Sequence, residues 1–244
     1  MGGNSRHLSK AAAAAVVLAL LLAGCPSAQR PPPTPAGVPG EWPAAMAPPE
    51  PGATRYRVDA ADSLVAVVVR RAGAFAAFGH NHVIAARSMA GAIDLRDPPD
   101  TSRFELHLAV AGFTVDEPPL RDGRGEDFPA VVPDADRDAT RRNMLGAGQL
   151  DAVHHPDIVV RLESLAGGPR HYAARLAIAV RGARHVIDVP VTVTHPSARV
   201  LEVSARFAVD QTVLGLAPYS ALLGALRVED TLGIEVDLIA RRVP

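Results

Sequence analysis

His80 and His82 stand two residues apart in Phe78-Gly79-His80-Asn81-His82-Val83-Ile84. On an extended strand that spacing turns both imidazoles to one face, and paired imidazoles begin a site for zinc, copper or iron. A complete site needs a third or fourth ligand, which His107, His154 or His155 supply if the fold brings them near. Two other readings stay open: a polar contact to the head of a bound ligand, or one ring bonding a turn carbonyl while the other faces solvent. No catalytic set emerges elsewhere. Ser204 and Ser220 lack the G-x-S-x-G setting of an activated nucleophile. Asp122, Glu126 and Asp127 fall in a Gly- and Arg-rich stretch that reads as a solvated loop, and Arg141-Arg142 reads as a solvated helix face before a phosphate clamp. The residues predict no enzyme, and no complete ligand set for a resident metal or cofactor.

The remaining reactive side chain is Cys25, the only cysteine. One thiol excludes an internal disulfide and a multi-cysteine metal site. Its position is informative: Arg6 and Lys10 precede the apolar run 11–22, which leads into Leu22-Ala23-Gly24-Cys25. A charged start, a short apolar stretch and small residues before the cut describe an export signal, and the run is shorter than the ~20 residues a spanning helix needs. The ending resembles the lipobox of bacterial lipoproteins, which implies acylation of Cys25 and cleavage before it. Two or three acyl chains hold a protein at a membrane where one holds marginally. Pro26 in place of Asp, read by the sorting rule of enteric bacteria, implies the outer membrane, facing the periplasm. Residues 26–54, with Pro31-Pro32-Pro33, Pro48-Pro49 and Pro51, lose amide donors to proline and are poor in large apolar groups, Trp42 being the exception, and read as a semi-extended tether.

From residue 55 to 244 the chain alternates with period two, as strands with one buried face do. Phe104, Leu106, Leu108 and Val110 oppose Arg103, Glu105 and His107; Ile158, Val160 and Leu162 oppose Arg161 and Glu163; Tyr172, Leu176, Ile178 and Val180 oppose His171 and Arg175. The same pattern runs through Ile187 to Val193, Leu201-Val203-Ala205-Phe207-Val209 and Ile234-Val236-Leu238, while 64–69 is apolar throughout, as a strand covered on both sides would be. Turn signals such as Asp97-Pro98-Pro99, Gly167-Gly168-Pro169 and Arg181-Gly182 separate the runs. Two segments read as helical: 134–145, with an Asp start and Gly146 as stop, and the short 218–226. Strands in hairpin order must close on themselves or stack, so the class is all-β, one antiparallel barrel or sandwich. A net charge of −1 argues against nucleic acid as a partner.

The ordered elements resemble the YceI-like family of exported lipid-binding proteins. The resemblance rests on Tyr56-Arg57-Val58-Asp59, Asp62-Ser63-Leu64-Val65, Gly91-Ala92-Ile93-Asp94-Leu95, Arg142-Asn143-Met144-Leu145, His155-Pro156-Asp157-Ile158, Val189-Pro190-Val191, Phe207-Ala208-Val209-Asp210 and the segment 233–240. It departs from the family at Arg70-Arg71-Ala72-Gly73, where many members carry a histidine and a glycine. The resemblance implies a lipocalin-like antiparallel barrel with one or two short helices, enclosing an apolar tunnel for an isoprenoid-like lipid such as a quinone or polyprenyl chain. On this reading Phe104, Leu106, Leu108, Ile178, Val203, Phe207 and Val236 line the tunnel, with His80 and His82 as polar contacts. The competing reading is an envelope metal-binding or redox-accessory protein built on the histidine pair.

Overall fold

The computed structural model describes residues 48–129 and 131–244; the export signal, Cys25 and residues 26–47 of the tether lie outside them. The strands are β1 (Thr54–Val58), β2 (Leu64–Val69), β3 (Arg71–Ala72), β4 (His82–Ala86), β5 (Met89–Leu95), β6 (Arg103–Ala109), β7 (Phe113–Val115), β8 (Asp157–Gly167), β9 (His171–Val180), β10 (Ala183–Ser197), β11 (Val200–Asp210), β12 (Ser220–Ala221), β13 (Leu226–Val228) and β14 (Thr231–Arg242). The helices are α1 (Pro118–Arg121) and α2 (Asp134–Leu145). Eight strands close a ring in the order β1-β5-β6-β8-β9-β10-β11-β14 and back to β1, every pair antiparallel. The fold is the all-β, lipocalin-like barrel expected from the sequence.

The ring closes because β14 is long enough to serve two partners on one edge. Its last residues pair with β1, Ala240 opposite Val58, and its middle pairs with β2, Ile234 opposite Val67. From β2 a branch continues through β4 to β7. Helix α2 packs beside β7: Arg141 donates to the carbonyls of Phe113 at 3.1 Å and Ala111 at 2.6 Å. Arg141 is thus a structural strut, not a phosphate ligand. The helix spans the residues predicted, and its first turn carries Asp134 and Asp136 where the positive end of the helix dipole favours them.

The continuous apolar run of β2 has the cause the sequence suggested. Val65, Val67 and Val69 face the barrel interior, while Ala66 and Val68 pack outward with Val83 and Phe128. In β8 the alternation survives an irregularity. The register shifts between Leu162 and Ser164, so Leu162 and Leu165, three apart, both face inward.

Two expectations are corrected. The segment 218–226 is not a helix. It forms the hairpin of β12 and β13, which pairs with β3 in a small three-stranded sheet, and Leu222 and Leu223 at its tip have φ of 51° and 55°, which no right-handed helix accommodates. Val110 leaves the inward row of β6, because the strand ends at Ala109 and Val110 begins a 3-10 turn, its amide bonded to the Pro156 carbonyl at 2.8 Å.

Candidate ligand-binding tunnel

Inside the ring lies a cavity of about 900 Å³, near the upper end of the ~300–1,000 Å³ range of small-molecule sites. Phe104, Leu106, Leu108, Ile178, Val203, Phe207, Val236, His80 and His82 all border it. The strand alternation that placed the apolar seven on one face is therefore the alternation of wall and outside. Between them the wall is mostly Val, Ile, Leu and Ala from successive strands, with Phe113, Tyr172 and Tyr219 among them. The lining extends to turns at both ends of the ring, Arg96, Ser102 and Arg103 at one, Phe78, His80 and Arg227 at the other. The outward positions carry ion pairs across neighbouring strands, such as Glu105 with Arg161 at 2.6 Å and Arg206 with Asp237 at 2.6 Å.

His80 and His82 face the cavity together, ring centroids 6.2 Å apart. Each has an aspartate. His80 Nε2 lies 3.2 Å from Asp136 Oδ2 on α2. His82 Nδ1 donates to Asp116 Oδ2 at 2.6 Å, and its Nε2 meets the Thr140 hydroxyl at 3.3 Å. The histidines proposed as further ligands do not join them. His107 bonds Glu105 at 2.7 Å on the outer face of β6, and His154 bonds Asp151 at 2.9 Å in an exposed turn. Among the described residues no group of three His, Cys, Asp or Glu is placed to hold a metal.

Behind His82 is a buried ionic cluster that sequence reasoning missed. Asp116, just past the end of β7, accepts from His82, from the Val83 amide at 2.9 Å and from Arg121 of α1. Arg121 is fully buried and also donates to the carbonyls of Asn81 and Pro129, each at 2.8 Å. Its remaining nitrogen has no hydrogen-bond partner among the described residues; the guanidinium carbon stands 5.5 Å from the centre of the Phe128 ring, a cation–π distance. Burial opposes the charge on Asp116, but the hydrogen bonds from His82 and Val83 and the charges of His82 and Arg121 outweigh it and hold the carboxyl below its ordinary range. The cluster locks His82 in one orientation, with Thr140 and His80 beside it. What results is a small, ordered polar patch on an apolar wall, the pattern by which such a cavity orients one end of a ligand.

Sequence comparison finds no matching family profile and no matching curated protein. Solved structures do match. BcnA of Burkholderia cenocepacia is 16% identical with a TM-score of 0.56, over 75% of this chain and 98% of that one. A polyisoprenoid binding domain from Saccharophagus degradans, implicated in plant cell wall breakdown, is 12% identical with a TM-score of 0.52, over 77% of this chain and 98% of that one. The YceI protein of Campylobacter jejuni is 9% identical with a TM-score of 0.48, over 66% of this chain and 85% of that one. At these identities the likeness is one of fold, carried by the first two: the chain has the fold of BcnA and of the polyisoprenoid binding domain, in keeping with the YceI-like resemblance read from the sequence.

Proposed function

We propose that the barrel binds a long apolar molecule of the isoprenoid class, a quinone or polyprenyl lipid, and sequesters or carries it in the cell envelope. The observation that carries this reading is the continuous cavity of about 900 Å³ walled by aliphatic side chains. Water gains little from such a wall, whereas an apolar chain laid along it removes both surfaces from water at about 25 cal/mol per Å². The polyisoprenoid binding domain that shares the fold supports the same ligand class. His80, with its ring on the cavity, and the His82–Thr140 pair are the groups that receive the polar end. The chain binds and does not turn over its ligand. Acyl chains on Cys25 hold it at the outer membrane, facing the periplasm, with residues 26–54 as spacer. The metal-binding alternative has no observation in its favour, since each histidine of the pair is engaged by its own aspartate.

The test is direct. Protein purified in mild detergent is extracted with organic solvent, and the extract and the metal content are both measured by mass spectrometry. A near-stoichiometric long-chain prenyl lipid is the expected result. Stoichiometric metal with no lipid overturns the proposal.

A further inference from the structure

The rim of the tunnel at its histidine-bearing end is apolar where a rim facing only water would be polar. Phe78 is 81% exposed, Leu223 96% and Leu222 63%, and Phe75 is exposed beside them. Two short connections carry these side chains: the 3-10 turn Ala76–Phe78 that follows β3, and the tip Leu222–Gly224 between β12 and β13. They lie against each other. The Phe75 amide donates to the Ala225 carbonyl at 2.7 Å, and a Cβ on Gly73, whose φ is +94°, would meet that same oxygen at 2.5 Å. Only glycine permits the approach. The Phe75 and Phe78 rings meet edge to face, 5.9 Å between centroids. Exposed residues on turns at the opposite end are Asp97, Asp100, Arg170 and Arg199, and among the described residues no exposed large hydrophobic side chain lies there.

Stability does not account for this rim. Leu222 and Leu223 are exposed, and both hold left-handed backbone angles that a branched side chain disfavours. Strain and exposure together at one tip point to a partner that receives the side chains. A protein partner needs a broad complementary face, whereas side chains as exposed as Phe78 and Leu223 protrude singly and suit a fluid interface. Two further features match a lipid surface. Phe78 belongs both to the rim and to the tunnel wall, so the apolar path is unbroken. Arg70, just before β3 with its guanidinium 5.4 Å from the centre of the Phe128 ring, and Arg227 within β13 are exposed, and cations near the mouth are of the sign that anionic headgroups attract. Acidic groups share this end: Asp136 is bonded to His80 and Asp230 to Thr212, while Asp134, Asp138 and Glu229 are exposed, so the apolar side chains rather than net charge carry the docking.

We propose that this end of the barrel docks on a lipid bilayer through Phe75, Phe78, Leu222 and Leu223, opening the tunnel mouth onto the membrane. The proposal deepens the carrier reading and rests on it: the ligand passes between bilayer and tunnel without crossing water. It is tested with the full chain in vesicles of phosphatidylethanolamine and phosphatidylglycerol containing a phosphatidylcholine brominated in mid-chain. Phe75→Trp, in a chain where Trp42→Phe removes the native indole, reports insertion by bromine quenching. Ser197→Trp reports the opposite end.

Docking requires quenching of the first and none of the second. Leu222→Asn together with Leu223→Asn removes two anchors that do not line the tunnel, at positions where asparagine tolerates the backbone better. The pair of changes keeps or raises the thermal midpoint, keeps ligand loading in detergent and abolishes the quenching. Each leucine withdrawn from an apolar phase weakens partition by about tenfold or more. An unquenched Phe75→Trp in a chain that still loads ligand in detergent overturns docking and leaves the carrier reading standing. A chain that loads no ligand ends the carrier reading, while quenching still decides the docking. A concentration-dependent blue shift without vesicles assigns the patch to a second copy of the chain and overturns the bilayer as partner.

Discussion

Replacing Ala205 with tryptophan separates a tunnel from a packed core in one variant. Ala205 sits near mid-strand in β11 opposite Val236 of β14, is buried, and borders the cavity. If the space is a tunnel, the indole lies along it. Its buried apolar surface, about 150 Å² or more, outweighs the lost rotamer freedom, and the delipidated variant is at least as stable as the delipidated parent. If the positions meet in a packed core, the ring forces neighbours off their rotamers at about 1–3 kcal/mol. In a domain of this size each kcal/mol moves the thermal midpoint by about 2–4 °C. Both proteins must be stripped of ligand first. A ligand at a hundred times its Kd stabilises by about 2.7 kcal/mol, so an untreated parent would melt higher merely because the variant had lost its lipid. Denaturant melts of the stripped proteins and solvent extraction of the unstripped ones complete the assay. The expected pair is undiminished stability and no co-purified lipid on the variant. A strongly destabilised Ala205→Trp from a parent that carries no lipid refutes the tunnel.

Three other outcomes follow from the site and the anchor. Asp116→Asn leaves Arg121 buried without its counter-charge, and a urea melt should show a loss of about 3–5 kcal/mol. Because the folded-state pKa of Asp116 is depressed, its stabilisation is fully present above the unfolded value of about 3.9 and is lost as pH falls through the lower folded value. The melting-temperature profile of the variant is accordingly flatter in acid than that of the parent. His82→Ala strands a buried carboxylate oxygen and costs about 1–3 kcal/mol, while His80→Ala, whose partner Asp136 is half exposed, stays within about 0.5 kcal/mol; equal losses in urea would mean that the two histidines share one role. Cys25→Ser removes palmitate labelling and processing before residue 25, and a variant that stays labelled and membrane-bound after alkaline washing excludes the lipoprotein reading.

The strand faces were legible because an antiparallel barrel preserves period two wherever one face is wet. The inward rows from Leu201 to Val209 and from Ile234 to Leu238 follow from alternation alone, and α2 from its acidic start and glycine stop. The segment 218–226 misled because an apolar run of that length carries no period, and its hairpin is set by pairing with β3, about 150 residues earlier. The ionic cluster was illegible for a similar reason. His82 and Asp116 are 34 residues apart, and nothing local marks the aspartate that ends Phe113-Thr114-Val115 as a partner of that histidine. They meet because Ile84 pairs with Val115. The loop from Arg121 to Asp127 read as solvated, and most of it is, but its first residue is the fully buried arginine.

The composition, in contrast, accounts for the cavity itself. Ring closure by eight strands fixes the barrel's diameter through strand number and stagger, not through the side chains inside. Whether the interior fills then depends on how far those side chains reach. Aromatic residues make up only 4% of the sequence, and the inward rows of β10 and β14 hold Ile187, Val189, Val191 and Val193, then His195 near one end, and Leu232, Ile234, Val236 and Leu238, with no Phe, Tyr or Trp among them. Short branched side chains pack well against their neighbours along and across adjacent strands, which is enough to hold the ring together. They do not reach the opposite wall. A barrel bridged by more phenylalanine and tryptophan would bury more of its own surface and bind nothing. This one leaves its inner wall uncovered, and the stabilisation it forgoes in the empty state becomes available to an apolar ligand that fills the space.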